Sequence, residues 1–228
     1  MRPSRRVVTV AGHGFAGASR WAEVRLSSGV VARYPDPMNA PVRILPTREK
    51  VRLTVDSFLL LDEHGAFADY HKTELIDGDV YGMNAQHSRH ARVKSRLLVE
   101  LALALRALGG DLEAVSEVTV RVADDGAPEP DIVLTRWRGE GVMPVATVAL
   151  MVEVSDTTLA TDLGRKAELY GAAGVPEYWV VDLNGVRVVV HDGPSAAGYE
   201  RRVDVALGDR LASATLPGIE VETATLVG

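Results

Sequence analysis

Asp131, Glu153 and Lys166 are the residues of this chain whose types and spacing could do chemistry. Asp131 opens the apolar run Pro130-Asp131-Ile132-Val133-Leu134, and Glu153 sits inside Leu150-Met151-Val152-Glu153-Val154-Ser155. A carboxylate within a strand that should be buried is costly unless something pairs with it or binds it. If the two strands adjoin, the two acids repel each other, and a divalent cation between them relieves that repulsion. The chain has no cysteine, so a metal would be held by oxygen or histidine. Lys166 could orient an attacking water and offset phosphate charge, with Asp162, four residues earlier, in a supporting role. Two acids and a lysine in this arrangement suit a metal-dependent phosphodiesterase. The plainer readings are a buried glutamate satisfied by an arginine or backbone amides, and a surface ion pair between Asp162 and Lys166.

The elements that must position these groups can be read from pattern. Thr54 caps a helix over the following Val55-Asp56-Ser57-Phe58 run. Glu74-Leu75-Ile76-Asp77-Gly78-Asp79-Val80-Tyr81 reads as a hairpin around an Asp-Gly turn. A helix follows from about His87 to Leu108, its stripe formed by Ala91, Leu98, Leu101, Leu105 and Leu108, with Gly109-Gly110 as the stop. Val115, Val118, Val120 and Val122 suggest one strand. Thr147–Ser155 suggests a central strand, with Val148, Leu150, Val152 and Val154 on one face and Glu153 on the other. Asp156-Thr157-Thr158 should cap a helix ending near Ala173, and Asn184-Gly185 reads as a type I′ turn between Glu177–Asp182 and Val186–His191. Short strands are expected near Tyr199–Leu207 and Ile219–Thr223.

The 228 residues suffice for one well-filled domain with an appendage. Residues 1–50 carry nine Lys or Arg against three Asp or Glu, whereas the remainder carries 16 against 28. The charge of +6 on the first part therefore stands against −12 on the body. An acidic body argues against tight nucleic-acid binding by bulk charge alone. Residues 1–50 read as a basic N-terminal extension. It is either a flexible tail or, before Met38, a mis-called upstream segment. No apolar run reaches a membrane span and no complete secretory signal is evident, which fits a cytoplasmic protein without a membrane partner.

Several further groups have weaker claims. Arg89, Arg92 and Arg96 share a helix face with Lys94 nearby. Cations in a first helical turn oppose the helix dipole, so these suggest a phosphate-facing surface; the alternative is a solvated face. His87 and His90, three apart at a helix start, could suggest a metal pair, but with no third ligand of the right kind in view they read rather as solvated or capping residues. Tyr178 and Trp179 read as core rather than as base-stacking platforms.

One set of residues carries a resemblance. It comprises Glu74-Leu75-Ile76-Asp77-Gly78, His87, Pro130-Asp131, Glu153-Val154-Ser155, Asp162 with Lys166 and Tyr170, and Gly174-Val175-Pro176-Glu177-Tyr178-Trp179-Val180-Val181-Asp182. Together these resemble the Uma-two family of restriction endonucleases, within the PD-(D/E)XK nuclease superfamily, over roughly Leu53 to Val221. The last block is the most specific. The resemblance implies a restriction-endonuclease-like α/β core with a mixed central β-sheet flanked by helices: helix, three antiparallel strands, helix, strand. It also implies Mg²⁺, with Mn²⁺ as a substitute, at Asp131 and Glu153, and it adds Glu74 as the acid that completes the site. The superfamily's lysine, two residues after the glutamate, is replaced here by Ser155; Lys166 matches the family's relocated lysine.

The reading is a nuclease domain over residues 51–228 that cleaves phosphodiester bonds in DNA, with a homodimer compatible. Its rival is a nucleic-acid-binding or regulatory module that kept the fold without turnover. A structural protein is the third reading, requiring an arginine on Glu153 and no cavity. The enzyme reading requires Glu74, Asp131, Glu153 and Lys166 to converge on one cleft.

Overall fold

The computed structural model describes residues 21–25, 31–35, 50–83 and 87–226. Met38 lies outside the described residues. The chain divides into two units, residues 1–50 and 51–228. In the first, β1 (Trp21–Arg25) and β2 (Val31–Pro35) pair antiparallel, a hairpin that the composition of this segment did not suggest.

The second unit begins with α1 (Val55–Glu63), whose N-cap Thr54 accepts the Ser57 amide as expected. The strands β3 (Lys72–Ile76) and β4 (Asp79–Met83) form the expected hairpin. Its turn residues Asp77 and Gly78 both have positive φ, 53° and 75°, as a type I′ turn demands. Helix α2 (Ser88–Leu108) follows. Its buried stripe is Val93, Leu97, Leu101 and Leu105, rotated from the expected one; Leu108 is exposed.

Instead of one valine-rich strand there are two pieces, β5 (Glu113–Ser116) and β6 (Val120–Arg121). Glu117, with φ of 56°, breaks the extended run between them. Next come β7 (Ile132–Thr135), the short β8 (Met143–Pro144), which pairs with β6, and β9 (Val148–Ser155). Helix α3 (Leu159–Thr161), a π-helical turn over Asp162–Lys166 and α4 (Ala167–Ala172) succeed one another. The expected side-chain cap on this segment is absent, because the Thr158 hydroxyl donates to Asp162 instead.

Strands β10 (Glu177–Asp182), β11 (Arg187–Ser195) and β12 (Gly198–Ala206) complete the main sheet. Strands β13 (Arg210–Ala212) and β14 (Glu220–Glu222) pair separately. The turn after β10 is not type I′: the left-handed residue is Val186, with φ of 52°. Asp182 Oδ1 accepts the Gly185 amide, and a four-residue loop results.

The main sheet runs β12-β11-β10-β9-β7-β5. Strands β5, β7 and β9 pair antiparallel, and β10 joins β9 in parallel, as a crossover through a helix requires. The fold is therefore the expected restriction-endonuclease-like α/β core, extended by two strands. One face buries Leu150, Val152, Val154 and Trp179 against α2; the other buries Met151, Tyr178 and Val180 beneath α4, whose own Tyr170 packs into the same cluster. Covered on both sides, β9 is buried along its full length. A register shift in the β7–β9 pairing, between Leu134 and Thr135, moves Val148 to the Met151 side, so the expected alternation holds only from Leu150 onward. Among the described residues no helix is long and apolar enough to cross a membrane.

Candidate active site

Ile132 pairs with Val152 across β7 and β9, and that antiparallel register carries Asp131 towards Glu153. Glu153 shares its side of β9 with Met151, the face beneath α4. The hairpin β3–β4 brings Glu74, and the π-helical turn brings Asp162 and Lys166. A π-helical turn inserts one residue per turn, re-aiming the side chains that follow, and such turns recur at functional sites. Glu74, Asp131, Glu153, Asp162 and Lys166 are all buried, yet all line a single cleft of about 640 Å³.

Lys166 is the hub. Its ammonium donates to Glu153 Oε1 at 2.9 Å and to Glu74 at 3.0 Å, and lies 3.9 Å from Asp162 Oδ1. Glu74 also accepts the Glu129 amide at 2.9 Å, so this acid ties the hairpin to the segment leading into β7. Tyr170 donates its hydroxyl to Glu153 Oε1 at 2.9 Å. Asp162 accepts the hydroxyls of Ser155 at 2.7 Å and Thr158 at 2.6 Å. Ser155 holds the position at which the superfamily pattern has lysine, and its hydroxyl helps fix the acid beside Lys166.

Asp131 Oδ2 accepts the Val154 amide at 2.8 Å and stands 3.1 Å from His90 Nε2. His87 and His90 both line the cleft. The sequence favours, over a metal pair with His87, a solvated or capping role for His90. Instead its ring is largely buried, with Nδ1 unpartnered among the described residues. The signal that could have found it is spacing. His90 and Lys94 extend the inward stripe of Leu97 and Leu101 by one turn towards the sheet's end, and Lys94 lies 3.9 Å from Asp131 Oδ1.

The three arginines take no part in the cleft. Arg89 donates to Leu183 O and Asn184 Oδ1, and Arg96 to the carbonyls of Thr225 and Leu226. Both fasten α2 to neighbouring loops; Arg92 is exposed. Tyr178 and Trp179 are fully buried core residues. Glu153 pairs with a lysine, and a cleft is present, so neither requirement of the structural-protein reading is met.

Electrostatics follow from burying three acids around one ammonium. Burial pushes Glu153 up to about 8; Lys166 opposes this, while Asp162, Asp131 and Glu74 add to it. Burial also disfavours the charge on Lys166, but Glu153, Glu74 and Asp162 outweigh it and hold the lysine above its ordinary value. For Asp131, burial is overcome by the His90 hydrogen bond and charge, the Val154 amide and Lys72, which leave it below the usual carboxylate range.

A pH dependence follows. Between 4.5 and about 8 the folded protein retains a proton on Glu153 that the unfolded chain has released. The folded state then binds more protons, so stability falls as pH rises through this window. Urea titrations of the metal-free protein across that range should show the decline, and Glu153→Gln should flatten it.

The donor chemistry fits a hard divalent cation. Asp131, Glu153 and Glu74 offer only oxygen, and Glu153 Oε2 accepts no hydrogen bond among the described residues. Among the described residues no three His, Asp or Glu side chains stand ready to hold one ion together. The Lys166 ammonium occupies the position of a counter-ion between Glu74 and Glu153.

Comparisons with known proteins bear on the family and the fold. Residues 55–225 match the model of the Uma2 family, described as "Putative restriction endonuclease". A crystal structure described as "a putative nuclease belonging to DUF820", from Anabaena variabilis, superposes with a TM-score of 0.57 at 16% identity. That likeness covers 77% of this chain and 97% of the other, and it concerns the fold. No curated protein matches.

Proposed function

This chain belongs to the Uma2 family, and we propose that it is a metal-dependent endonuclease that hydrolyses phosphodiester bonds in DNA. The observation that carries this reading is the convergence of Glu74, Asp131, Glu153 and Lys166 on one cleft. Asp131 and Glu153, completed by Glu74, would hold Mg²⁺ or Mn²⁺. Such a cation, when bound, polarises a phosphoryl oxygen and lowers the pKa of a coordinated water.

The remaining work belongs to the chain. Glu153 must shed the proton that burial keeps on it before its carboxylate can serve as a ligand, so activity should rise as pH approaches about 8. Tyr170 holds Glu153 Oε1 in place, and the Val154 amide and His90 fix Asp131. Lys166 keeps its charge throughout and can donate to a phosphate oxygen as negative charge builds there. Water adds to phosphorus as the ester P–O bond breaks, leaving one phosphate end and one hydroxyl end.

The test is incubation of plasmid, linear duplex and single-stranded DNA with Mg²⁺ or Mn²⁺. The expected result is cleavage that EDTA stops; absence of cleavage with either metal favours the binding-module reading. A second expectation concerns His90. His90→Ala frees the Asp131 carboxylate to rotate, and Mn²⁺ affinity by calorimetry should fall about 10–100-fold, the usual effect of losing a group that orients a metal ligand.

A further inference from the structure

Tyr81 is half exposed at 51% and lines the cleft, although β4 is otherwise a short, modest strand. Its register partner on β3 is Glu74, so the ring projects from the same face of the hairpin as that acid. The next residue is Gly82, where any Cβ would collide with the Tyr70 ring. Tyr70 is itself 53% exposed and lines a smaller pocket of about 170 Å³. That pocket shares His71, Lys72 and Glu129 with the main cleft. β4 thus presents one exposed ring, Tyr81, within the cleft, while Tyr70, which precedes β3, packs over Gly82 on the other face of the hairpin. Tyr170 and Tyr178 are fully buried.

Charge excludes the common alternative source of affinity. Cations near the cleft already have acidic or carbonyl partners: Lys72 with Glu129, Lys94 with Glu117, Lys166 with Glu74 and Glu153, Arg165 with Asp77. Residues 51–228 carry a charge of −12, from 16 Lys or Arg against 28 Asp or Glu. Counter-ion release at phosphates therefore contributes little. Stacking of bases on aromatic rings needs no net charge, but it needs base faces that a duplex keeps hidden in its stack. At about 640 Å³ the cleft is in the size range of a small-ligand pocket, large enough to take a nucleobase that has left its stack.

We infer that Tyr81 is a stacking platform for an unpaired nucleobase, and that the substrate class of the cleft is single-stranded DNA. This rests on the nuclease reading for its chemistry, but the platform itself can be tested by binding alone. Fluorescence anisotropy would compare a labelled single strand, its duplex and the same strand with abasic sites, in Ca²⁺, for wild type, Tyr81→Ala and Tyr81→Phe. Wild type should bind the single strand at least about tenfold more tightly than the duplex. Tyr81→Ala should lose about tenfold on the intact strand and nothing on the abasic one, while Tyr81→Phe keeps its ring and its affinity. Because Tyr81 is half exposed, thermal melting should show both variants folded. Equal affinity for single strand and duplex overturns the inference, as does equal loss on intact and abasic strands. Adding Mn²⁺ to the same samples separates the two claims. A stacking preference without cleavage overturns the nuclease reading alone, and cleavage without strand preference overturns the platform alone. No binding to any form overturns both.

Discussion

Lys166→Met should lower the unfolding free energy of the metal-free protein by about 3–5 kcal/mol, the usual cost of removing one partner of a buried ion pair. The reason is specific to this cleft. Lys166 is the ammonium that meets both Glu74 and Glu153, at 3.0 and 2.9 Å, and Asp162 lies 3.9 Å away. Methionine fills similar space and leaves three buried acids without that cation. The acids would respond by taking up protons, so the loss should be greatest at high pH and smaller in acid. Above about pH 8, where Glu153 is ionised, the double variant Glu153→Gln, Lys166→Met should recover part of the loss, since one of the uncompensated charges is gone. Chemical denaturation of the two single variants and the double variant would measure this coupling. Additive losses would show that Lys166 and Glu153 do not depend on each other.

Much of this arrangement was legible in the sequence because burial makes charged residues conspicuous. Asp131 and Glu153 stand in runs apolar enough to be strands, and no ordinary surface reading explains them. The Asp77-Gly78 turn declared itself because two consecutive residues with positive φ require that chemistry. The π-helical turn did not. Asp162 and Lys166 are four apart, which an α-helix satisfies equally well, and nothing in their types marks the extra residue. His90 was missed for a related reason. A histidine near a helix start is usually solvated, and only the tertiary placement of Asp131 makes it a partner. The same limit affected Arg89 and Arg96. Their spacing suggests a common face, but the carbonyls that bind them come from residues 183 and 225–226, far away in sequence. Asn184-Gly185 failed as a type I′ signal because the Asp182 side chain captures the Gly185 amide and favours a longer loop. Long-range hydrogen bonds decided the misses at His90, Arg89 and Arg96, and a local side-chain bond decided the one at Asn184-Gly185.

Glu153→Gln should abolish cleavage while leaving the fold nearly intact. In the metal-free protein burial already holds Glu153 near a pKa of about 8, so at neutral pH it is largely neutral and glutamine is a close mimic. The amide oxygen can still accept from Lys166 and Tyr170, as Glu153 Oε1 does. Below pH 4.5, where Glu153 is protonated both folded and unfolded, the stability change should therefore be about 1 kcal/mol, the scale of one altered hydrogen bond. At higher pH the variant is spared the proton-uptake cost that wild type carries. Function is different, because a neutral amide is a poor ligand for a hard cation. A cation at this position would supply several kcal/mol of charge stabilisation, so its loss should slow cleavage on the order of a thousandfold or more. The decisive measurement is the Mn²⁺-dependent cleavage rate of single-stranded DNA by wild type and Glu153→Gln, at matched concentrations of protein shown to be folded. The proposed site predicts robust cleavage by wild type and none detectable above background by the variant. Undiminished cleavage by Glu153→Gln would mean that the chemistry does not occur in this cleft.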